Sequence, residues 1–564
     1  MPFPDSQLYQ IDGIEVPKLG PWSSSADEQP LPAEQVTREL RLRPGSTIDG
    51  QEGVMSKIAP RSGSFMRFVS MAIAVPGLFL LAHCRDQLLW IRVAFASDFT
   101  GFRQQVSPSS QSNATEPSVA VDRSDGTVYV AWQASGSHVA RSDDGGRTFL
   151  QTAFPSGDVG DVAIRVGGPA PCTAPSSNCL PGTHRVYVSS IELTPLALQT
   201  RLAFSDDRGG HWTVNSLAAF NPSFIDRPWL AVYASQVSAN QDQVYVAYHD
   251  FSASQINVAA SNNGGQLFGP SVDVLATNNM AFLNSFCNTV PSGIEVDPQT
   301  AEVYVQWITA DPVANTTQGC NLTQIENFHQ VWMAHSPPAT AGGFTVWDAH
   351  LVFDGPSNTN TDDIFATLGV DDSGSPGQHG NVYSVFADNL NTIQGRAVFD
   401  IWFTHSSDKG TSWATPVKVN NDAGTHFFPW IAAGSTGRVD FIWLATSDVN
   451  PSDGALSPWT VTFAQTTNGT SGTPKFNQAT SSNVMHVGGI CTSGIFCSVT
   501  GGNRDLADSI SISIDRGGSA SLVWTDQGSV LHGPTHITYG CVTSGQSAIV
   551  GADRGQSCKG PAGP

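Results

Sequence analysis

The 564-residue chain holds 54 glycines and 35 prolines but only 13 % charged residues, and no long helical period is visible, so it reads as many short strands joined by tight turns. Its formal charge of −21 comes with only four lysines beyond residue 97 (Lys409, Lys418, Lys475 and Lys559). That leaves no basic surface to neutralise phosphates and excludes nucleic acid as a partner.

Residues 1–65 are polar, proline-bearing and without period, and read as a disordered arm or as sequence ahead of the true start codon. The apolar run 68–84 follows Lys57, Arg61 and Arg67, the positive flank that an export signal needs. Its length lies between a signal-peptide core and a minimal membrane span. Residues 66–97 are therefore expected to be a signal peptide, cleaved after Ala94-Phe95-Ala96, or a membrane anchor; a buried helix is the alternative. Any membrane association would run through 68–84 alone, and the protein is expected outside the cell or on its surface.

From residue 98 a repeat takes over, best seen between Glu116 and Phe149. Two β-branched and aromatic runs, 118–121 and 127–132, flank the polar turn Asp122-Arg123-Ser124-Asp125-Gly126 and read as a hairpin. A third run, 138–141, leads into Ser142-Asp143-Asp144-Gly145-Gly146-Arg147-Thr148-Phe149, where short oxygen-bearing side chains can bond nearby N–H groups and glycines supply positive φ. Equivalent inner hairpins pair 161–166 with 185–191, 229–233 with 243–248, 293–297 with 302–307, 367–371 with 381–386, 430–434 with 438–443, and 510–515 with 519–524. Four strands per repeat and seven hairpins predict an all-β propeller of seven four-stranded antiparallel blades over 98–564, with six blades as the alternative. The last blade lacks an obvious fourth strand, which 547–551 or a segment near 102–106 must supply.

Nine cysteines include the close pairs Cys172/Cys179 and Cys491/Cys497, in loop-like sequence without the Cys-x2-Cys partner sets of a zinc site. In an exported protein these are expected to be loop-closing disulfides.

The Ser142 turn recurs at Ser205-Asp206-Asp207-Arg208-Gly209-Gly210-His211-Trp212 and Ser406-Ser407-Asp408-Lys409-Gly410-Thr411-Ser412-Trp413, and more weakly at Ser261-Asn262-Asn263-Gly264-Gly265-Gln266-Leu267-Phe268. The fourth and sixth repeats have eroded it, to His335-Ser336-Pro337-Pro338 and Thr466-Thr467-Asn468-Gly469. These turns resemble the Asp-box, or BNR, repeats of sialidases and related secreted propellers. Asp226-Arg227-Pro228-Trp229-Leu230-Ala231-Val232, Phe428-Pro429-Trp430-Ile431-Ala432-Ala433-Gly434 and residues 491–508 likewise resemble bacterial sialidase-family proteins. The resemblance spans roughly 113–539 and implies a sialidase-like propeller; because Asp boxes also occur in propellers that are not enzymes, it leaves activity open.

Strand direction sorts the loops. The hairpin turns and Asp-box turns fall on one face, so a site belongs on the other, at the channel mouth. Just before the innermost strands stand Glu116, Asp161, Asp226-Arg227, Asp362-Asp363, His426 and Arg504-Asp505 with Asp508; just after the second strands stand Glu192, His249-Asp250, Asp311, Asp388, Asp448 and Asp526. Taken singly, each of these reads as the cap of a strand end or turn, a place that Asp and Asn commonly fill. The family resemblance implies three arginines gripping a substrate carboxylate, a tyrosine nucleophile and an aspartate acid/base. Here Arg227 stands in Asp-Arg-Pro where that family has Arg-Ile-Pro, Arg504 is a second candidate, and no third arginine falls in place.

Two functions from different classes follow. One is a glycoside hydrolase acting on a glycan or glycoprotein, exo-sialidase-like, with Asp226, Asp250 or Asp508 as acid/base, Tyr248 as nucleophile, and Arg227, Arg504, His249, His426 and Glu116 binding substrate. The other is a non-catalytic extracellular module binding a glycan, a protein or Ca²⁺ at the acidic mouth. Calcium apart, no cofactor is expected, no metal site is assigned, and a monomer is expected.

Overall fold

Val-aromatic pairs open the second strand of five successive repeats: Val128-Tyr129, Val186-Tyr187, Val244-Tyr245, Val303-Tyr304 and Val382-Tyr383 are all buried. Such residues suit a pleated surface covered on both sides, and here they sit between neighbouring sheets. In the computed structural model, which describes residues 99, 101–194, 198–219, 225–250, 255–285, 289–310, 328–361, 365–372, 380–493, 497, 501–553 and 558–559, they belong to seven antiparallel sheets. The expectations for residues 1–65 and 66–97 lie outside the described residues. Among these, no helix is long and apolar enough to cross a membrane.

The innermost strands are Thr115–Val121, Gly160–Pro169, Ile225–Tyr233, Thr289–Val296, Thr367–Val370, Thr425–Ala433 and Ser511–Ile514, one for each of blades one to seven. Each pairs with the next strand in the chain, as the hairpins require, for example Val119 opposite Val130 and Ile512 opposite Leu522. Trp132, Trp307, Trp443 and Trp524 fill the same slot near the end of the second strands and are fully buried. The protein is thus a seven-bladed propeller, and a six-bladed ring is excluded.

Blade seven is completed from the front of the chain. Gly101–Gln105 pairs antiparallel with His536–Val542, Phe102 opposite Cys541 and Gln105 opposite Thr538. Of the two expected closures, the segment near 102–106 is the one used; 547–551 forms no strand.

The Ser142-type turns are built from their own side chains. Ser142 Oγ accepts from Gly146 N at 2.7 Å, and Asp144 accepts from Thr148 N at 2.9 Å and Thr148 Oγ1 at 2.6 Å. Ser205/Asp207 and Ser406/Asp408 repeat the pattern, and at Ser261 an asparagine, Asn263, stands in for the aspartate. Two consecutive residues take positive φ, Gly145 at 75° and Gly146 at 91° in the first copy. A Cβ at Gly146 would stand 2.1 Å from the Tyr539 ring. Gly146→Ala is therefore expected to cost about 3 kcal/mol or more, through clash and backbone strain together, read as a lower urea midpoint. An unchanged midpoint would mean that blades one and seven are not packed this way.

Both expected disulfides are present, Cys172–Cys179 and Cys491–Cys497, with Cα separations of 6.2 and 5.9 Å. A third, Cys541–Cys558, ties residues near the C-terminus to blade seven.

Candidate functional site

At the head of the inner strands the pairing slips. In blade one Thr115 faces Gln133 but Ser118 faces Ala131, three residues against two; the same one-residue slip follows Gly160 in blade two, Asp226 in blade three and Phe427 in blade six. The extra residue of a β-bulge turns its side chain away from the alternation of the strand. Here it takes positive φ: Glu116 at 52°, Asp161 at 53°, Arg227 at 40° and Phe428 at 55°. Phe365 at 26° and Ala507 at 56° hold related positions ahead of the blade five and blade seven strands, and Gly293 at 152° holds that of blade four. Such conformations cost a non-glycine residue on the order of 1–3 kcal/mol each and persist only where the surroundings enforce them.

This device assembles a rim of two kinds. Blades seven, one, two and three contribute Asp508 and Arg504, Glu116, Asp161, and Asp226 with Arg227. Arg504 grips Asp508 with two parallel hydrogen bonds of 2.6 Å. The Asp508 N–H donates to Glu116 Oε1 at 3.2 Å, and Arg227 Nη1 stands 3.7 Å from Glu116 Oε2. The remaining side is aromatic. The Arg227 guanidinium lies 4.7 Å from the Trp229 ring and 4.6 Å from that of Phe365, and Trp229 stacks on Trp430 of blade six at 5.6 Å. These indoles line the central channel, which carries Arg123, Arg165 and Glu295 further along.

Crowding of buried carboxyls sets the electrostatics. Burial, then Asp161, pushes Glu116 well above the usual carboxylate range, against the pull of Arg227. Asp226 is pushed up to about 7, by burial first and Asp161 second. Burial opposes the charge on Arg504, but Asp508 outweighs it and holds the guanidinium above its ordinary value. A carboxyl titrating near neutrality is the equipment of general acid–base chemistry.

The structure thus gathers Glu116, Asp226, Arg227, Arg504 and Asp508 at one end of the channel. His249 faces Asp226 across the blade three hairpin, and burial pushes its pKa down to about 4, so it is a neutral imidazole near pH 7. Asp250, buried, follows it opposite Ile225. Two expectations are corrected. Tyr248 is wholly buried among Ile191, Ala219, Ile225 and Ala259, and its hydroxyl donates to Ser271 at 2.7 Å; it belongs to the core and not to the rim. His426 is also fully buried, set between Phe399 O at 3.0 Å and Asp422 Oδ1 at 3.2 Å, a histidine satisfied between blades five and six. The aromatic side was missed, although Pro-Trp recurs in Arg227-Pro228-Trp229 and Phe428-Pro429-Trp430.

Among the described residues the rim carboxylates do not form a set of three whose oxygens lie within 4.8 Å of one another. Groups that meet that spacing are His335/Asp348/His350 and Asp515/Cys541/Cys558, the latter with both sulfurs in a disulfide.

No family model and no curated protein sequence matches the chain. Among solved structures it is similar to an α-L-arabinofuranosidase of Fusarium graminearum (10 % identity, TM-score 0.38, 79 % of this chain and 98 % of that one). It is also similar to an ulvan lyase (9 %, 0.41, 78 % and 94 %) and to the endosialidase of phage phi92 (11 %, 0.41, 81 % and 71 %). At these values the substrates of those enzymes do not transfer to this chain.

Proposed function

We propose that this propeller is an exported glycoside hydrolase acting on a glycan at the rim of blades seven, one, two and three. The observation that carries the reading is Asp226, a carboxyl pushed up to about 7 within a cluster that also holds Glu116, Asp161 and Asp508. Asp226 serves as general acid, protonating the leaving oxygen, while a second carboxylate, Asp508 or Asp250, acts as base or stabilises the positive charge that develops on the sugar. Trp229 and Trp430 give the rim an apolar side. Three disulfides among the described residues support an oxidising, extracellular setting.

The exo-sialidase version of this reading is weakened. Arg504 has both its Nη atoms on Asp508, and Arg227 lies against Glu116 and two aromatic rings, so a substrate carboxylate would have to displace an internal one. The same internal pairing favours, as the second reading, a rim that binds glycan or protein without cleaving it.

Hydrolysis of a broad panel of glycosides by the parent protein decides between the two: turnover supports the enzyme, and its absence across the panel moves the assignment to the binding module. Within either, Arg227→Ala is expected to reduce turnover or glycan binding per folded molecule by about 2–4 kcal/mol. Arg438→Ala serves as the control, since Arg438 sits in the inner hairpin turn of blade six, at the opposite end, where it donates to Ser547 O. Equal losses in both would defeat the assignment of the rim.

A further inference from the structure

The third strand of blade four ends at Ser336, where the Ser142-type turn stands in blades one, two, three and five, but the turn itself is eroded. In its place two imidazoles and a carboxylate converge: His335 on that strand, and Asp348 and His350 on the outermost strand, Asp348–Asp354. His335 is the cross-strand partner of Asp348, and Met333 that of His350, so the histidines meet on the diagonal. His350 Nε2 lies 3.0 Å and His335 Nε2 3.8 Å from Asp348 Oδ2, with the two rings nearly parallel at 6.3 Å. His350 Nε2 is buried and has no hydrogen-bond partner despite that proximity, because the approach is not aligned for one.

The second ring nitrogen of His335 is already committed. Its Nδ1 is 3.1 Å from Glu302 Oε1, and Glu302 is held in turn by Lys409 of the blade five turn, Nζ to Oε2 at 2.6 Å. A carboxylate accepting from Nδ1 fixes the tautomer that leaves Nε2 as a lone-pair donor, the support that metal-bound histidines commonly have. Asp348 is two-thirds exposed, which opens the cluster to solvent on one side.

We infer that His335, His350 and Asp348 form a binding site for a divalent transition ion, Zn²⁺ by the balance of two imidazoles and one carboxylate, with Glu302 orienting His335. Three protein ligands leave a fourth position for water or for a group from outside. The site is far in register from the rim, at the end of the blades that carries the serine–aspartate turns, and it stands whichever function the rim has.

The test is equilibrium dialysis and calorimetry of Zn²⁺ with the untagged full chain, first stripped with a chelator. The expected result is one ion per chain, lost by tenfold or more in His335→Ala and His350→Ala, and weakened about 10–100-fold in Glu302→Gln, which keeps the shape of the side chain but alters the support of His335. His211→Ala, which removes an exposed histidine beside Asp207, is expected to leave binding unchanged. Melting in the presence of chelator, equal for parent and variants, shows that the substitutions act on the ion and not on folding. Binding that survives both His335→Ala and His350→Ala would overturn the inference, as would the lack of saturable binding up to roughly 100 μM at neutral pH, about 5–6 kcal/mol of affinity.

Discussion

A chain that begins at residue 107 will melt well below one that begins at residue 99. The difference between them is the five-residue strand Gly101–Gln105 and its flanks. That strand pairs along the whole of its length with His536–Val542, and Val106 N donates to Ile537 O at 2.8 Å just beyond it. Phe99 meets Phe463 of blade six edge to face at 4.7 Å, and Arg147 lies over the Phe102 ring at 5.0 Å. Roughly five hydrogen bonds at about 0.5–1 kcal/mol net each, with the burial of Val106 and part of Phe102, come to about 5 kcal/mol. For a chain of this size that is a fall on the order of 5–10 °C. His536–Val542 would also become an open edge, able to pair with another chain, so concentration-dependent oligomers should appear. Calorimetry and size-exclusion chromatography read both effects; equal melting of the two chains would show that the ring does not depend on this closure.

Asp226→Asn is expected to stabilise the protein while removing its activity. In the unfolded chain the carboxyl titrates near ~4, whereas in the folded rim it is pushed up to about 7. The folded state therefore holds this proton more tightly, a contribution fully present below about pH 4 and lost as pH rises through about 7. Asparagine imitates the neutral form, so the variant should match the parent near pH 4 and exceed it by roughly 1–3 kcal/mol at pH 8. Turnover should fall about 10²–10⁴-fold, because the proton donor is gone. In the parent, kcat/KM should decline above about pH 7. Asp161→Asn, by removing the neighbouring carboxyl, should move that decline to lower pH; Arg227→Ala, by removing a cation that pulls the other way, should move it higher. An active Asp226→Asn with an unmoved pH profile would sink the role given to Asp226.

The blade count was legible because the period-two runs and polar turns of seven inner hairpins repeat along the chain. Outer strands were not: Leu150–Gln151, Val272–Asp273 and Val417–Lys418 have two residues each, too few to show an alternation. The closing strand Gly101–Gln105 was ambiguous because it is almost wholly exposed and polar, with Arg103, Gln104 and Gln105. Cys541–Cys558 was missed because Cys558 sits in no strand and the loop it closes has no pattern.

At the site, register grouped Glu116, Asp226, Arg227, Arg504 and Asp508, and the structure places Glu116 against Arg227 and Asp508, and Asp508 against Arg504, but register could not give side-chain direction. Tyr248 and His426 stand at the right height and point into the protein. Bulges break the alternation where direction matters, and no run of residues announces a bulge.

Those bulges have a consequence for how this surface could change over time. Because a backbone kink and not a neighbouring side chain presents Glu116, Asp161 and Arg227 to the rim, separate addresses stand side by side around one axis, now written Glu, Asp and Arg from blade one to blade three. A residue at one address can be exchanged without repacking the Val-aromatic layers between sheets. Recognition on such a ring can be respecified one blade at a time, with the unaltered blades keeping the scaffold folded while the chemistry at its mouth drifts.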